Sequence, residues 1–105
     1  MYVEINNKKV NIIKYSSFKD KLIGLMFKKK KINNIYLFNK CKSIHTFFMK
    51  QNIDICMLDK DNKIVLLRRN VSKNKIIYHK KASVTLEMPL DMSKYLKIGE
   101  YFSIK

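Results

Sequence analysis

The densest group of chemically capable side chains in this sequence runs from His45 through Thr46, Phe47, Phe48 and Met49 to Asp54. An imidazole and a carboxylate can exchange protons, while aromatic and thioether groups can grip an apolar ligand. On a strand, His45, Phe47 and Met49 share one face and Thr46 and Phe48 the other. With Lys50 to Asn52 as a tight hairpin loop, Phe48 would lie opposite Asp54 and set the carboxylate in apolar surroundings. A buried carboxylate must find a donor, because leaving it unpaired is costly. Thr46, a backbone N–H, or His45 across a curled strand could supply one. Asp54 then reads either as a polar pin that fixes strand register or as a ligand contact. Glu87, near the end of an alternating apolar segment, is the second carboxylate assigned to this surface.

Other constellations are weaker. Cys41, His45, Cys56 and His79 have the residue types of a zinc site, but no Cys-x-x-Cys or His-x-x-x-His spacing occurs. Cys41 and His45 on one extended strand would lie roughly 13 Å apart, too far to share a metal. Cys41 or Cys56 could be imagined as a nucleophile beside His45 and Asp54, yet nothing near them would lower a thiol pKa. Asp59-x-Asp61 begins like a calcium loop, but Lys63 takes the next ligand position and the sixth residue is not glycine. The expectation is a chain with no catalytic residue, no metal and no cofactor.

The net charge of +15 suits a polyanion partner. Lys28, Lys29, Lys30 and Lys31, with Arg68 and Arg69, are the residues such a partner would meet. Composition supplies a rival cause. Lys (21), Ile (14) and Asn (10) are abundant, whereas Ala occurs once and Arg twice. Codons for the abundant three are rich in A and T, so an AT-biased genome produces this pattern unaided. Phosphate recognition favours the arginine fork, which is scarce here, and no aromatic interleaves the four lysines. Nucleic acid is therefore the second choice of partner, after a small molecule or a protein.

These side chains must be positioned by a small fold. The 105 residues suit a single domain, 1–105, burying roughly 65% of its unfolded surface. Val3 and Ile5, then Val10 and Ile12, alternate as strands around Asn6-Asn7, a hairpin turn signal. Phe18, Leu22, Leu25 and Met26 follow helical spacing, with Ser17 and Asp20 as a capping box. Further strands are expected at 35–38, 43–49, 53–58, 63–67 and 84–88, with Asp59 to Asn62 as a hairpin turn. One helical turn fits 90–96, and Gly99 bends the chain into a closing strand that carries Phe102 and Ile104. The fold class is α+β and β-rich: an antiparallel sandwich or barrel-like sheet with one short helix packed on it. No apolar run approaches a membrane span, no secretory signal opens the chain, and two cysteines make no disulfide framework. A cytoplasmic location is expected.

Three stretches together resemble a known family. They are Gly24-Leu25-Met26-Phe27-Lys28, then Ser43 to Met49 leading into Ile53-Asp54-Ile55, and finally Leu86-Glu87-Met88 with Gly99-Glu100. Over Ser17 to Ile104 they are similar to the domain of unknown function 192 family of bacteria and archaea. The resemblance implies a small β-rich domain, envelope-associated or secreted in some members and cytoplasmic in others, and brings no reaction or ligand. Two departures stand out. Gly99-Glu100 replaces the usual Gly-Asp and keeps its charge, whereas Leu90-Asp91 replaces a small-residue step. The reading reached is a non-enzymatic binding or interaction domain built around His45, Phe47, Phe48, Met49, Asp54 and Glu87.

Overall fold

The computed structural model describes residues 1–15, 31–47 and 49–105. Eight strands occur among them: β1 (Tyr2–Ile5), β2 (Lys8–Tyr15), β3 (Ile35–Asn39), β4 (Ser43–His45), β5 (Ile53–Leu58), β6 (Ile64–Val71), β7 (Ile76–Tyr78) and β8 (Val84–Met88). Six form one sheet in the order β1-β2-β3-β8-β5-β6, and β4 pairs with β7 in a second, two-stranded sheet.

Turn chemistry explains the local pairings. Asn6 and Asn7 both take left-handed φ, 53° and 60°, the conformation that a two-residue hairpin loop requires and asparagine tolerates. Between β5 and β6, the Asp59 Oδ1 accepts the N–H groups of Asp61 at 2.9 Å and Lys63 at 3.0 Å. The Lys63 N–H, first among these influences, holds the exposed Asp59 carboxyl below its ordinary value. Asp59 is thus a turn residue.

The pleat sorts side chains into two apolar layers. Ile53, Ile55 and Met57 of β5 join Tyr36, Phe38 and Leu66 on one side. Cys56 and Leu58 join Ile35, Leu37, Leu86, Met88 and Phe102 on the other. All six residues of β5 are buried, which is why its sequence is a nearly continuous apolar run. The small β4–β7 sheet lies against the first layer through Ile44 and Ile77.

The C-terminal segment curls the large sheet into a half-barrel. Ile64 donates to the Glu100 carbonyl and Phe102 to that of Asn62, each at 2.8 Å, at the β6 end. Lys105 and Tyr2 exchange backbone bonds of 2.8 and 2.9 Å at the β1 end. One strip of chain therefore covers backbone groups at both outer strands, which protects them from pairing with another molecule.

The expected architecture needs three corrections. The chain is β-rich, but the large sheet is mixed: β2 and β3 run parallel, and the connection from Tyr15 to Ile35 is long enough for the crossover that this demands. The helix expected from Phe18 to Met26 lies outside the described residues. Among those described, a 3₁₀ turn at Met92–Tyr95 is the only helical element, so an α+β fold with a packed helix finds no support. The segment 43–49 is not one strand paired with β5; β4 ends at His45 and pairs with β7. No helix among the described residues is long and apolar enough to cross a membrane.

Candidate functional site

Thr46 fastens together two segments that form a cleft. It follows β4 and is 1% exposed. Its N–H donates to the Lys75 carbonyl at 2.9 Å, and its hydroxyl donates to the Ser72 carbonyl at 2.7 Å while accepting the Lys75 N–H at 2.9 Å. Its carbonyl accepts the N–H of Met49 at 3.2 Å, which starts a turn in place of further strand. Met49 is then buried in the first apolar layer, and Lys50, Gln51 and Asn52 face Ser72, Lys73 and Asn74. The space between is about 570 Å³, within the range of small-molecule sites. Among the described residues its lining carries two lysines and no carboxylate. Thr46→Val keeps the shape but loses both hydroxyl bonds, so we expect a loss of about 2 kcal/mol in unfolding free energy. Denaturant unfolding measures that loss, and faster hydrogen exchange at the Lys75 amide locates it.

Asp54 is fully buried and fully satisfied. Its Oδ1 accepts the Asn70 N–H at 2.9 Å; its Oδ2 accepts the Ser93 N–H at 2.9 Å and the Ser93 hydroxyl at 2.6 Å. The register explains the first bond. Ile53 pairs with Val71 but Ile55 pairs with Arg68, so an extra residue bulges from β6. The Asn70 N–H is turned to the Asp54 side chain, with Asn70 itself at φ 53°. The donors are backbone N–H groups and Ser93, and neither His45 nor Thr46 is among them. Asn70 in turn accepts the Asn52 side-chain amide at 2.9 Å, so the pin reaches one wall of the cleft.

Glu87 lies on the other face of the sheet. Asp54 stands opposite Met88, whereas Glu87 stands between Tyr36 and Ile55, so the pleat holds the two carboxylates apart. They cannot work as an acid–base pair. Glu87 is 6% exposed, its side chain accepts no hydrogen bond among the described residues, and burial pushes its carboxyl up to about 8.

The remaining candidates divide. His45 and Phe47 are exposed, with rings 5.0 Å apart, and the His45 Nδ1 accepts the Phe47 N–H at 3.3 Å. Phe48 lies outside the described residues, as do Lys28, Lys29 and Lys30; Lys31 is exposed. Arg68 and Arg69 are neighbours on one strand, and Arg69 makes an exposed ion pair with Asp91 at 3.6 Å. Arg68 shares the Ile55 face and caps the Leu67 carbonyl at 3.0 Å. Among the described residues no group of three His, Cys, Asp or Glu could hold a metal ion.

The cysteines are not a matched pair. Cys56 is fully buried and burial raises its thiol to about 12, while Cys41 is partly exposed and directs its sulfur to the Ser43 carbonyl at 3.1 Å. Iodoacetamide should therefore label Cys41 in the native chain and reach Cys56 only on unfolding, as peptide mass mapping would show. Labelling of both at equal rates would contradict this packing. Sequence reasoning passed over Ser72, Lys73, Asn74 and Ser93. The Ser72-Lys73-Asn74 cluster is itself a turn signal, but nothing in sequence spacing joins it to Thr46.

Comparison with known proteins places this geometry among relatives of unsettled role. The model of the family DUF192, described as an uncharacterized ACR, matches residues 1–104. No curated protein matches the chain. A crystal structure of a protein of unknown function from Novosphingobium aromaticivorans is similar, with a TM-score of 0.81 at 12% identity, covering 98% of this chain and 82% of that one. A proposed transcription regulator from Sinorhizobium meliloti is similar with a TM-score of 0.82 at 13% identity, covering 97% and 89%. At such identity the likeness speaks for the fold alone.

Proposed function

We propose a binding role, not a catalytic one, on the premise that the chain belongs to the DUF192 family, whose model spans residues 1–104. The ligand class is a small anion or an anionic group on a protein partner, taken between Lys50–Asn52 and Ser72–Asn74. The observation that carries this reading is the cleft's lining: Lys50 and Lys73 with amide and hydroxyl side chains, and among the described residues no carboxylate to neutralise them. Those groups are donors suited to carboxylate or phosphate oxygens. The walls are held by buried polar pins, Thr46 on one side and Asp54 through Asn70 on the other. Pre-set walls lower the ordering cost of binding. His45 and Phe47 lie beside Thr46 and outside the cleft lining, and Glu87 acts from within the sheet.

A catalytic reading finds little support. The carboxylates face opposite ways, Asp54 has both oxygens occupied, and Cys56 is buried with a raised pKa. The polyanion reading on Lys28 to Lys31, Arg68 and Arg69 is weakened because Arg69 engages Asp91. Calorimetric titration with citrate and with inorganic pyrophosphate tests the proposal. One saturable site is expected, weakened at least tenfold in Lys73→Glu, which reverses a charge and is worth more than about 1.4 kcal/mol. Equal heats for the variant and the native chain would contradict it.

A further inference from the structure

A second surface stands apart from the cleft. In the β4–β7 pair, Ile44 and Ile77 turn inward, and the alternate residues turn out: Ser43 opposite Tyr78, and His45 opposite Ile76. Ile76 is 69% exposed and Tyr78 61%. Phe47, 38% exposed, continues the same side and stacks on His45 with 27° between the ring planes. Three rings and a branched aliphatic group are thus displayed together on a short sheet. Single exposed apolar residues need no explanation, but a grouped apolar and aromatic face does.

Charge narrows what could cover that face. Every charged residue from Lys40 to Asn52, and from Leu67 to Leu86, is a lysine or an arginine. Lys42, Lys75, Lys80 and Lys81 are exposed around the pair. A second copy of this chain would set like charges against like, which disfavours association. The occupant must be anionic and must also offer flat apolar groups. A single-stranded nucleic acid does both, because its phosphates meet lysines and its splayed bases stack on rings. Duplex bases are hidden from such stacking.

We propose that the outer face of the β4–β7 pair, with His45, Phe47, Ile76 and Tyr78 framed by lysines, is a stacking platform for single-stranded nucleic acid. Specificity for sequence is not expected, since stacking accepts any base. This site does not use the cleft between Lys50–Asn52 and Ser72–Asn74, so the two proposals stand or fall separately.

Fluorescence anisotropy of the full chain with a labelled oligothymidylate of about fifteen nucleotides, near the upper site size for a small fold, tests it. Binding should exceed that to a duplex of the same length. Tyr78→Ala and Phe47→Ala should each weaken it about tenfold with the salt dependence unchanged. Lys80→Gln with Lys81→Gln should lower the slope of log affinity against log salt by about 1.4. Tyr78 is too exposed for its loss to unfold the chain, and thermal melting of each variant checks this. Binding indifferent to Tyr78 and Phe47, equal binding to duplex, no binding, or a preference for polyglutamate over the oligonucleotide would each overturn the proposal, the last in favour of an acidic protein. Citrate binding to Tyr78→Ala should match that of the native chain.

Discussion

Asp54→Ala should remove about 3–5 kcal/mol of unfolding free energy, a large part of what a chain of this size has. The truncation leaves the part-buried Asn70 N–H and the buried Ser93 N–H and hydroxyl without their acceptor. Each is a group that water solvates in the unfolded chain and that the native interior would then strand. Asp54→Asn should cost less, about 2 kcal/mol, because one acceptor oxygen survives while an amide N–H₂ is turned toward a donor. Urea unfolding of both variants provides the measurement. The loss should also be felt in the cleft, because Asn70 no longer held by Asp54 cannot hold the Asn52 side chain. A change below about 1 kcal/mol for the alanine variant would mean that the three bonds contribute nothing net. Asp54→Asn with unchanged melting temperature and unchanged citrate binding would leave Asp54 neither a pin nor a ligand support.

Glu87→Gln should act in the opposite direction and only at higher pH. Glu87 carries a folded-state value of about 8 against an ordinary 4.5, raised by burial. Below the ordinary value both folded and unfolded chains keep the proton, and stability is at its fullest. Between the two values the unfolded chain releases a proton that the folded chain retains, so stability falls as pH rises, and above about 8 the fall levels off. Glutamine mimics the protonated carboxyl at every pH. Its advantage over the native chain should be negligible near pH 4 and on the order of 3 kcal/mol at pH 7. The groups beside Glu87 across the sheet are Tyr36 and Ile55, with Arg68 one strand further on. Unfolding of both proteins at about pH 4 and about pH 8 reads the difference, and carboxyl NMR follows the titration itself. A glutamine variant no more stable at pH 8 would show that the carboxylate ionises comfortably in place.

Much of the strand pattern was legible because turn residues punctuate it. Asn6-Asn7 announces the β1–β2 hairpin, the Asp59 to Asn62 cluster announces β5–β6, and Val84, Leu86 and Met88 alternate through β8. What failed was whatever depends on distant pairing. Ile76–Tyr78 is three residues between lysine-rich flanks, too short to display a period, yet it becomes β7 because β4 needs a partner. The β6 strand continues through Arg68, Arg69 and Asn70 past the end of its apolar run, since an edge strand can carry charge. The parallel pairing of β2 and β3 leaves no local mark at all.

The candidate site shows the same division. That Asp54 would be buried and need donors followed from its apolar neighbours. Which donors it found did not, because Ser93 lies in a turn far along the chain and the Asn70 N–H faces it only through a bulge. His45 to Met49 looked like one strand, but the Thr46 hydroxyl takes up the backbone groups of Ser72 and Lys75 and turns the chain into the cleft wall. That Asp54 and Glu87 face opposite ways is a matter of register, which a sequence discloses only when both partners of a strand are known.

The most direct test of an anion-binding cleft is to map where an anion goes. In a backbone-amide NMR titration of the native chain with citrate, the account predicts saturable shifts concentrated at Gln51, Asn52, Lys73 and Asn74. Shifts that grow without saturating and spread evenly over the lysine-rich surface would contradict it.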